Sequence, residues 1–256
     1  MKIGICATAQ QIIQLKEGTA DYAELNLSQL YSMTDQQRQE TQCMLSAAGI
    51  NAEASNCFFP SGMKLCGTGY HKATVMEYCK KALYYGAQLG IHTFVFGSGK
   101  ARNIEPDESV HDCIKQIEEV ICFAAEIAKE FDSIIVLEPL NKKETNVINT
   151  VAQGAAWCHK LHHPNIMLLA DLYHVATEHE PFDNIVKNGD LLRHVHIARP
   201  EGRLFPEKND GFDYLTVRKT LDAAGYDLRI SIEGASPGEF VQSAEESLLF
   251  LKSIFC

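Results

Sequence analysis

The chain has 256 residues, 46% of them apolar and 22% charged, with 23 Lys+Arg against 33 Asp+Glu and a formal net charge of −10. That length suits one α/β barrel and allows folding without disulfides or a structural metal. The composition excludes disorder, and the acidic balance argues against a partner that presents nucleic-acid phosphate.

The opening run Lys2–Cys6 reads as a strand; it is too short and too soon followed by Gln10 and Gln11 to be a signal peptide. Further strands are expected at Tyr22–Leu27, Asn51–Phe58, His92–Phe96, Ser133–Glu138, Ile166–Asp171, His194–Ala198 and Leu228–Glu233. Between them, Ile114, Ile117, Ile121, Ala124 and Ala128 recur at helical spacing, as do Val241, Ala244, Leu248, Leu251 and Phe255. Gly49, Gly90 and Gly225 each stand where a helix closes before a strand, a position suited to a left-handed residue. Eight β units alternating with helices predict parallel strands and a single (β/α)8 TIM barrel over residues 1–256. No GxGxxG follows the first strand, which disfavours a doubly wound dinucleotide-binding sheet. The longest irregular stretches lie around Pro60–Gly69 and Arg199–Phe212. No run approaches 18 apolar residues, so no membrane partner is expected. The nine scattered cysteines form no CxxC pair and read as reduced thiols of a cytoplasmic protein.

In a parallel barrel the chemistry sits where the strands finish. The fifth, sixth and eighth strands end in Glu138, Asp171 and Glu233, and the seventh carries His194 and His196. Alternation puts Glu138 on the face of Ile134 and Val136, and Glu233 on the face of Ser231. If those faces point inward, Glu138, Asp171, His196 and Glu233 converge on the axis. Three carboxylates and an imidazole suit Mn²⁺, Mg²⁺ or Co²⁺, with Zn²⁺ still open, and a dication relieves their mutual repulsion. Separately satisfied buried polar residues are the plainer alternative, though four at successive strand ends would be costly without a shared partner. Glu144, His174, Arg199 and Arg203 follow these strands as polar neighbours able to orient a polyhydroxylated molecule, or as capping and solvated loop charges. Gly97-Ser98-Gly99-Lys100 with Arg102 could face an anion, as could Arg199, Arg203 and Lys208. The simpler reading makes the glycines a tight turn beside the pocket and the substrate small or unphosphorylated. Lys2 and Glu24 read as structural, the latter a barrel carboxylate paired with a base.

The sequence resembles the xylose-isomerase-like TIM barrels of sugar isomerases and epimerases, including ketose 3-epimerases and hydroxypyruvate isomerase. The resemblance is densest in Phe94–Arg102, Leu137–Asn141 with Glu144, Ala170–His174, His194–His196 and Ser231–Gly234. It implies one divalent metal, commonly manganese, held by Glu138, Asp171, His196 and Glu233. It also implies Glu138 and Glu233 as an acid/base pair working through a cis-enediolate, and Glu144, His174 and Arg203 as groups that hold substrate oxygens. The implied substrate is a small sugar or sugar phosphate, and the relatives are often homo-oligomers. Competing chemistries on the same barrel are an inosose-type dehydratase and an apurinic-site endonuclease. The endonuclease would place extra histidines at the ends of the third and fourth strands, where this chain has Cys57-Phe58-Phe59 and Phe96-Gly97-Ser98.

Overall fold

The structure is a computed structural model describing residues 1–256. The first half of the chain runs β1 (Lys2–Cys6), α1 (Ala9–Ile12), β2 (Tyr22–Asn26), α2 (Leu27–Ser32), α3 (Asp35–Ala47), β3 (Ala52–Asn56), α4 (Lys72–Gln88) and β4 (Thr93–Phe96). It continues through α5 (Val110–Lys129), β5 (Ile134–Leu137), α6 (Val151–Leu161), β6 (Ile166–Asp171), α7 (Leu172–Thr177) and α8 (Asp183–Lys187). The last elements are β7 (Leu192–Ile197), α9 (Tyr214–Ala223), β8 (Arg229–Ile232) and α10 (Phe240–Phe255). The eight strands pair in sequence order, all parallel, and β1 closes on β8 to complete a TIM barrel.

Local signals set the boundaries. Thr34 caps α3 through a capping box with Gln37, and Ser109 caps α5. Gly49, Gly90 and Gly225 all have positive φ after their helices, as the sequence predicts. Expected strand ends move by one or two residues. β3 stops at Asn56 because Cys57 takes a left-handed φ of 48° and turns the chain. β7 starts at Leu192, two residues early, because Leu192 pairs with Leu168 just before a register shift.

The alternate faces of the strands do different work. Ile3, Ile5, Ile135, Leu137, Ile230 and Ile232 join the helices in the main apolar core. The opposite face carries a small apolar cluster, Val95, Val136 and Leu169, and a polar column. Tyr22, Glu24, His194, His196 and Ser231 are all wholly buried in that column. At its floor Glu53 pairs with Lys2 at 2.5 Å and with Arg229 at 3.2 Å. Above it Tyr22 fills the interior and its hydroxyl meets Ser231 Oγ at 2.6 Å. The Tyr22 ring needs Gly4 beside it, since a Cβ there would lie 2.5 Å from the ring. Burying these groups is tolerable because nearly all of them are hydrogen-bonded to one another.

Candidate active site

The polar column ends at the C-terminal rim. Glu138 and Glu233 stand one residue beyond β5 and β8, Asp171 closes β6, and His196 lies in β7. One ligand atom from each of the four lies within 4.8 Å of those of the other three. His196 Nδ1 is 3.3 Å from Glu138 Oε1 and 3.1 Å from Glu233 Oε2. His196 Nε2 is 2.9 Å from Glu24 Oε1, and the other Glu24 oxygen is 2.7 Å from His194 Nε2. Glu24, read from sequence as a carboxylate paired with a base, therefore pairs with two. By accepting from Nε2 it fixes the His196 ring and turns Nδ1 toward the rim.

The electrostatics are those of an overcrowded carboxylate group. Burial pushes Asp171 up to about 6 against the pull of Arg203. Burial also pushes Glu138 up, aided by Glu233 and opposed by the His196 hydrogen bond. Glu233 is desolvated too, but His196 and Arg203 outweigh that and hold it down. Burial disfavours a charged His196, yet Glu24 and Glu233 raise its pKa well above the ordinary value. A proton on Nδ1 and a dication at the same point are alternative answers to the same negative charge. The donor set fits a divalent cation: three carboxylates and one imidazole nitrogen, with the imidazole oriented from behind.

The residues read as substrate contacts surround this group. Asn141 donates its backbone N–H and its amide to His174 Nδ1, at 3.2 and 2.8 Å. The His174 hydrogen therefore sits on Nε2, which is buried, has no hydrogen-bond partner and stands 3.3 Å from Asp171 Oδ2. Burial lowers the His174 pKa, keeping the ring neutral. Glu144 Oε1 accepts from the Asn141 amide at 3.0 Å. Arg203 reaches Glu233 at 2.7 Å, Asp171 at 3.1 Å and Glu144 at 3.5 Å, over the Tyr173 ring. A cavity of about 370 Å³ opens above these groups. Its walls come from the loops after β3, β4 and β5, including Pro60–Met63, Ser98–Ala101 and Lys143.

Two sequence readings change. Arg102 is not a free cation for an anion. It is wholly buried and donates to the carbonyls of Phe96, Gly97, Glu138 and Val147 at 2.6–3.1 Å, which locks the ends of β4 and β5 together. Gly97 is more than a turn residue, because the Glu138 carboxylate occupies the place of its Cβ, 2.0 Å from Oε2. Arg199 pairs with Glu207 at 3.3 Å and does not line the cavity, as a loop charge would. Sequence reasoning also missed Asn56, whose amide donates to Glu233 Oε1 at 2.7 Å. The signal was faint: Asn56 pairs in register with Asn26, a polar pair at the ends of two adjacent strands.

Fold and rim together define a TIM-barrel protein with a carboxylate–imidazole group at the C-terminal face. The chain belongs to the xylose isomerase-like TIM barrel family, whose model matches residues 15–254. It is 29% identical over 163 residues to a ketose 3-epimerase of Arthrobacter globiformis, covering 62% of this chain and 55% of that protein. It is 26% identical over 180 residues to a 3-dehydro-D-guloside 4-epimerase of Escherichia coli, covering 68% and 64%. The alignments thus span about three fifths of these curated relatives. The structure of a D-psicose 3-epimerase with D-tagatose from Clostridium cellulolyticum superposes with a TM-score of 0.83 at 18% identity, over 100% of this chain and 99% of that one, a likeness of fold. No helix is long and apolar enough to cross a membrane.

Proposed function

We propose that this chain is a metal-dependent sugar isomerase or epimerase that moves a proton beside a ketose carbonyl. The observation that carries the reading is the convergence of Glu138, Asp171, His196 and Glu233 at one point of the rim. These four would hold the cation, with Mn²⁺ the best match and Mg²⁺, Co²⁺ or Zn²⁺ compatible. When bound, the cation supplies charge stabilisation to the oxygens of a deprotonated hydroxycarbonyl.

The chain's own residues do the rest. Glu138 and Glu233 project from β5 and β8, on either side of His196 Nδ1. One removes the proton from the carbon next to the carbonyl, giving a cis-enediolate. For epimerisation the other, carrying its own proton, delivers that proton to the opposite face; for aldose–ketose isomerisation a proton goes instead to the neighbouring carbon while the hydroxyl proton passes between the two oxygens. The buried His174 Nε2–H, 3.3 Å from Asp171 Oδ2 and without a hydrogen-bond partner, would donate to a substrate hydroxyl drawn in beside Asp171. Glu144 and Arg203 present an acceptor and donors to the remaining oxygens. The epimerase names of the relatives favour this reading over a dehydratase. The ends of β3 and β4 hold no histidine, which disfavours a multi-zinc nuclease.

A panel of ketopentoses and ketohexoses in D₂O with added Mn²⁺ tests the proposal. Deuterium should enter at the carbon that epimerises or isomerises. Glu138→Gln and Glu233→Gln should fold normally and lose that exchange; normal exchange in both variants sinks the assignment.

A further inference from the structure

Outside the proposed active site, the rim loop after β3 carries a second group of metal-ligating atoms. Cys66 Sγ, Cys113 Sγ and a Glu108 carboxylate oxygen all lie within 4.8 Å of one another. Cys66 is in the loop between β3 and α4, and Cys113 is in the first turn of α5, directly after Glu108 and the Ser109 cap. The two thiols are 1% and 2% exposed. Neither is in a disulfide.

The group is held in place. Glu108 Oε1 accepts the Thr68 N–H at 2.5 Å, and Oε2 accepts the Glu105 N–H at 3.0 Å and lies 3.8 Å from Cys113 Sγ. Gly67, with φ of +66°, leaves the space that this carboxylate fills, since a Cβ there would lie 1.9 Å from Oε1. Each carboxylate oxygen keeps a second lone pair after its backbone contact. A cleft of about 330 Å³ opens over Glu108 and Cys113, with Asp107 and Asp112 at its edge. Lys64, a nearby cation, is paired with Glu105 at 3.0 Å.

We propose that Cys66, Glu108 and Cys113 form a second cation site that takes zinc or a similarly thiophilic divalent ion, the cleft supplying a water as fourth ligand. Two sulfurs and one oxygen are a donor set for zinc and poor for magnesium or manganese. Bonds of about 2.3 Å to sulfur put two tetrahedral sulfurs roughly 3.8 Å apart, so the thiols need to close by no more than about an ångström. The three carboxylates, Asp107, Glu108 and Asp112, draw the cation in. Burial, then Cys113 and Glu108, push the Cys66 thiol up to about 12, and burial pushes the Cys113 thiol up as well, so a cation binds by displacing their protons. Occupancy would tie the β3–α4 loop to α5. The first part of that loop, Pro60–Met63, walls the rim cavity, so this site acts on the wall of the other without sharing a ligand with it.

Cadmium, a spectroscopic substitute for zinc, tests this without reference to activity. Reduced, metal-stripped protein titrated with Cd²⁺ should develop ultraviolet thiolate-to-cadmium absorption that saturates by two equivalents, one for this site and one for the rim group. Cadmium NMR should show a resonance in the sulfur-ligand region beside one from the oxygen–nitrogen rim group. Cys57→Ser, at the other cavity, should keep both sulfur signals; Cys66→Ser and Cys113→Ser should each abolish them. Absence of the signals in the unmodified protein overturns the proposal, as does their survival in a folded Cys66→Ser or Cys113→Ser variant. Absence of the signals in the unmodified protein decides against the site even where the serine variants fail to fold.

Discussion

Replacing Arg102 with methionine should cost far more stability than its loop position suggests. The guanidinium donates to four backbone carbonyls from a fully buried position. After removal the Phe96 carbonyl keeps the Glu138 N–H at 3.3 Å, while those of Gly97, Glu138 and Val147 keep no other hydrogen bond. An unsatisfied buried acceptor costs about 1–3 kcal/mol, so three cost roughly 3–9 kcal/mol. Releasing the buried charge offsets part of this, leaving a net loss of about 3–5 kcal/mol. For a chain of this size that lowers the melting temperature by roughly 6–20 °C. Thermal unfolding followed by circular dichroism, in the presence and absence of Mn²⁺, measures it. Arg102→Lys should fall between, because one ammonium cannot reach all four carbonyls. A loss under about 1 kcal/mol in Arg102→Met would refute the view that this residue clasps the ends of β4 and β5, since the three orphaned carbonyls alone exceed it.

Glu24→Gln should keep the fold and weaken metal binding by about 10–100-fold, because an amide no longer fixes the His196 ring; a competition titration against a chelating dye reads this. Gly97→Ala should cost turnover more than melting temperature, since its new Cβ meets the Glu138 carboxylate at 2.0 Å and displaces that side chain; unchanged turnover would show that Glu138 has slack. Gly4→Ala should behave oppositely, destabilising by about 1–3 kcal/mol through overpacking against Tyr22, with little change in substrate KM. Stripping the protein with a chelator should abolish deuterium exchange, and added Mn²⁺ should restore it; exchange that persists in the stripped protein argues against metal-assisted chemistry.

The barrel and its rim residues were legible because Glu138, Asp171 and Glu233 end or follow apolar runs, where a polar side chain has no structural reason to be, and His196 lies within the last residues of the strand between them. Residues defined by what they touch were not legible. Asn56 looked like an ordinary strand residue, and the partnership of Glu24 with both His194 and His196 spans some 170 residues of sequence. Arg102 was misjudged for a related reason: sequence shows a charge beside two glycines but not whether water reaches it. Gly97 looked like a flexible turn, whereas its missing side chain is space already claimed by Glu138. The expected Glu144, His174 and Arg203 do reach the rim, yet the Asn141 bridge that sets the His174 tautomer could be seen only in three dimensions.

The rim cavity draws its reactive groups from β5 to β8 and most of its walls from the loops after β3, β4 and β5. On the proposed function, reaction and discrimination would occupy largely different arcs of one circle. Substitutions among Pro60–Met63, Lys100 or Lys143 would then change which molecule fits while the proposed proton-moving arc stays intact. The reverse does not hold, because the reactive arc is braced from beneath by Glu24, His194, Ser231 and Tyr22. New substrates are open to this barrel one loop at a time, whereas new chemistry would require rebuilding its axis.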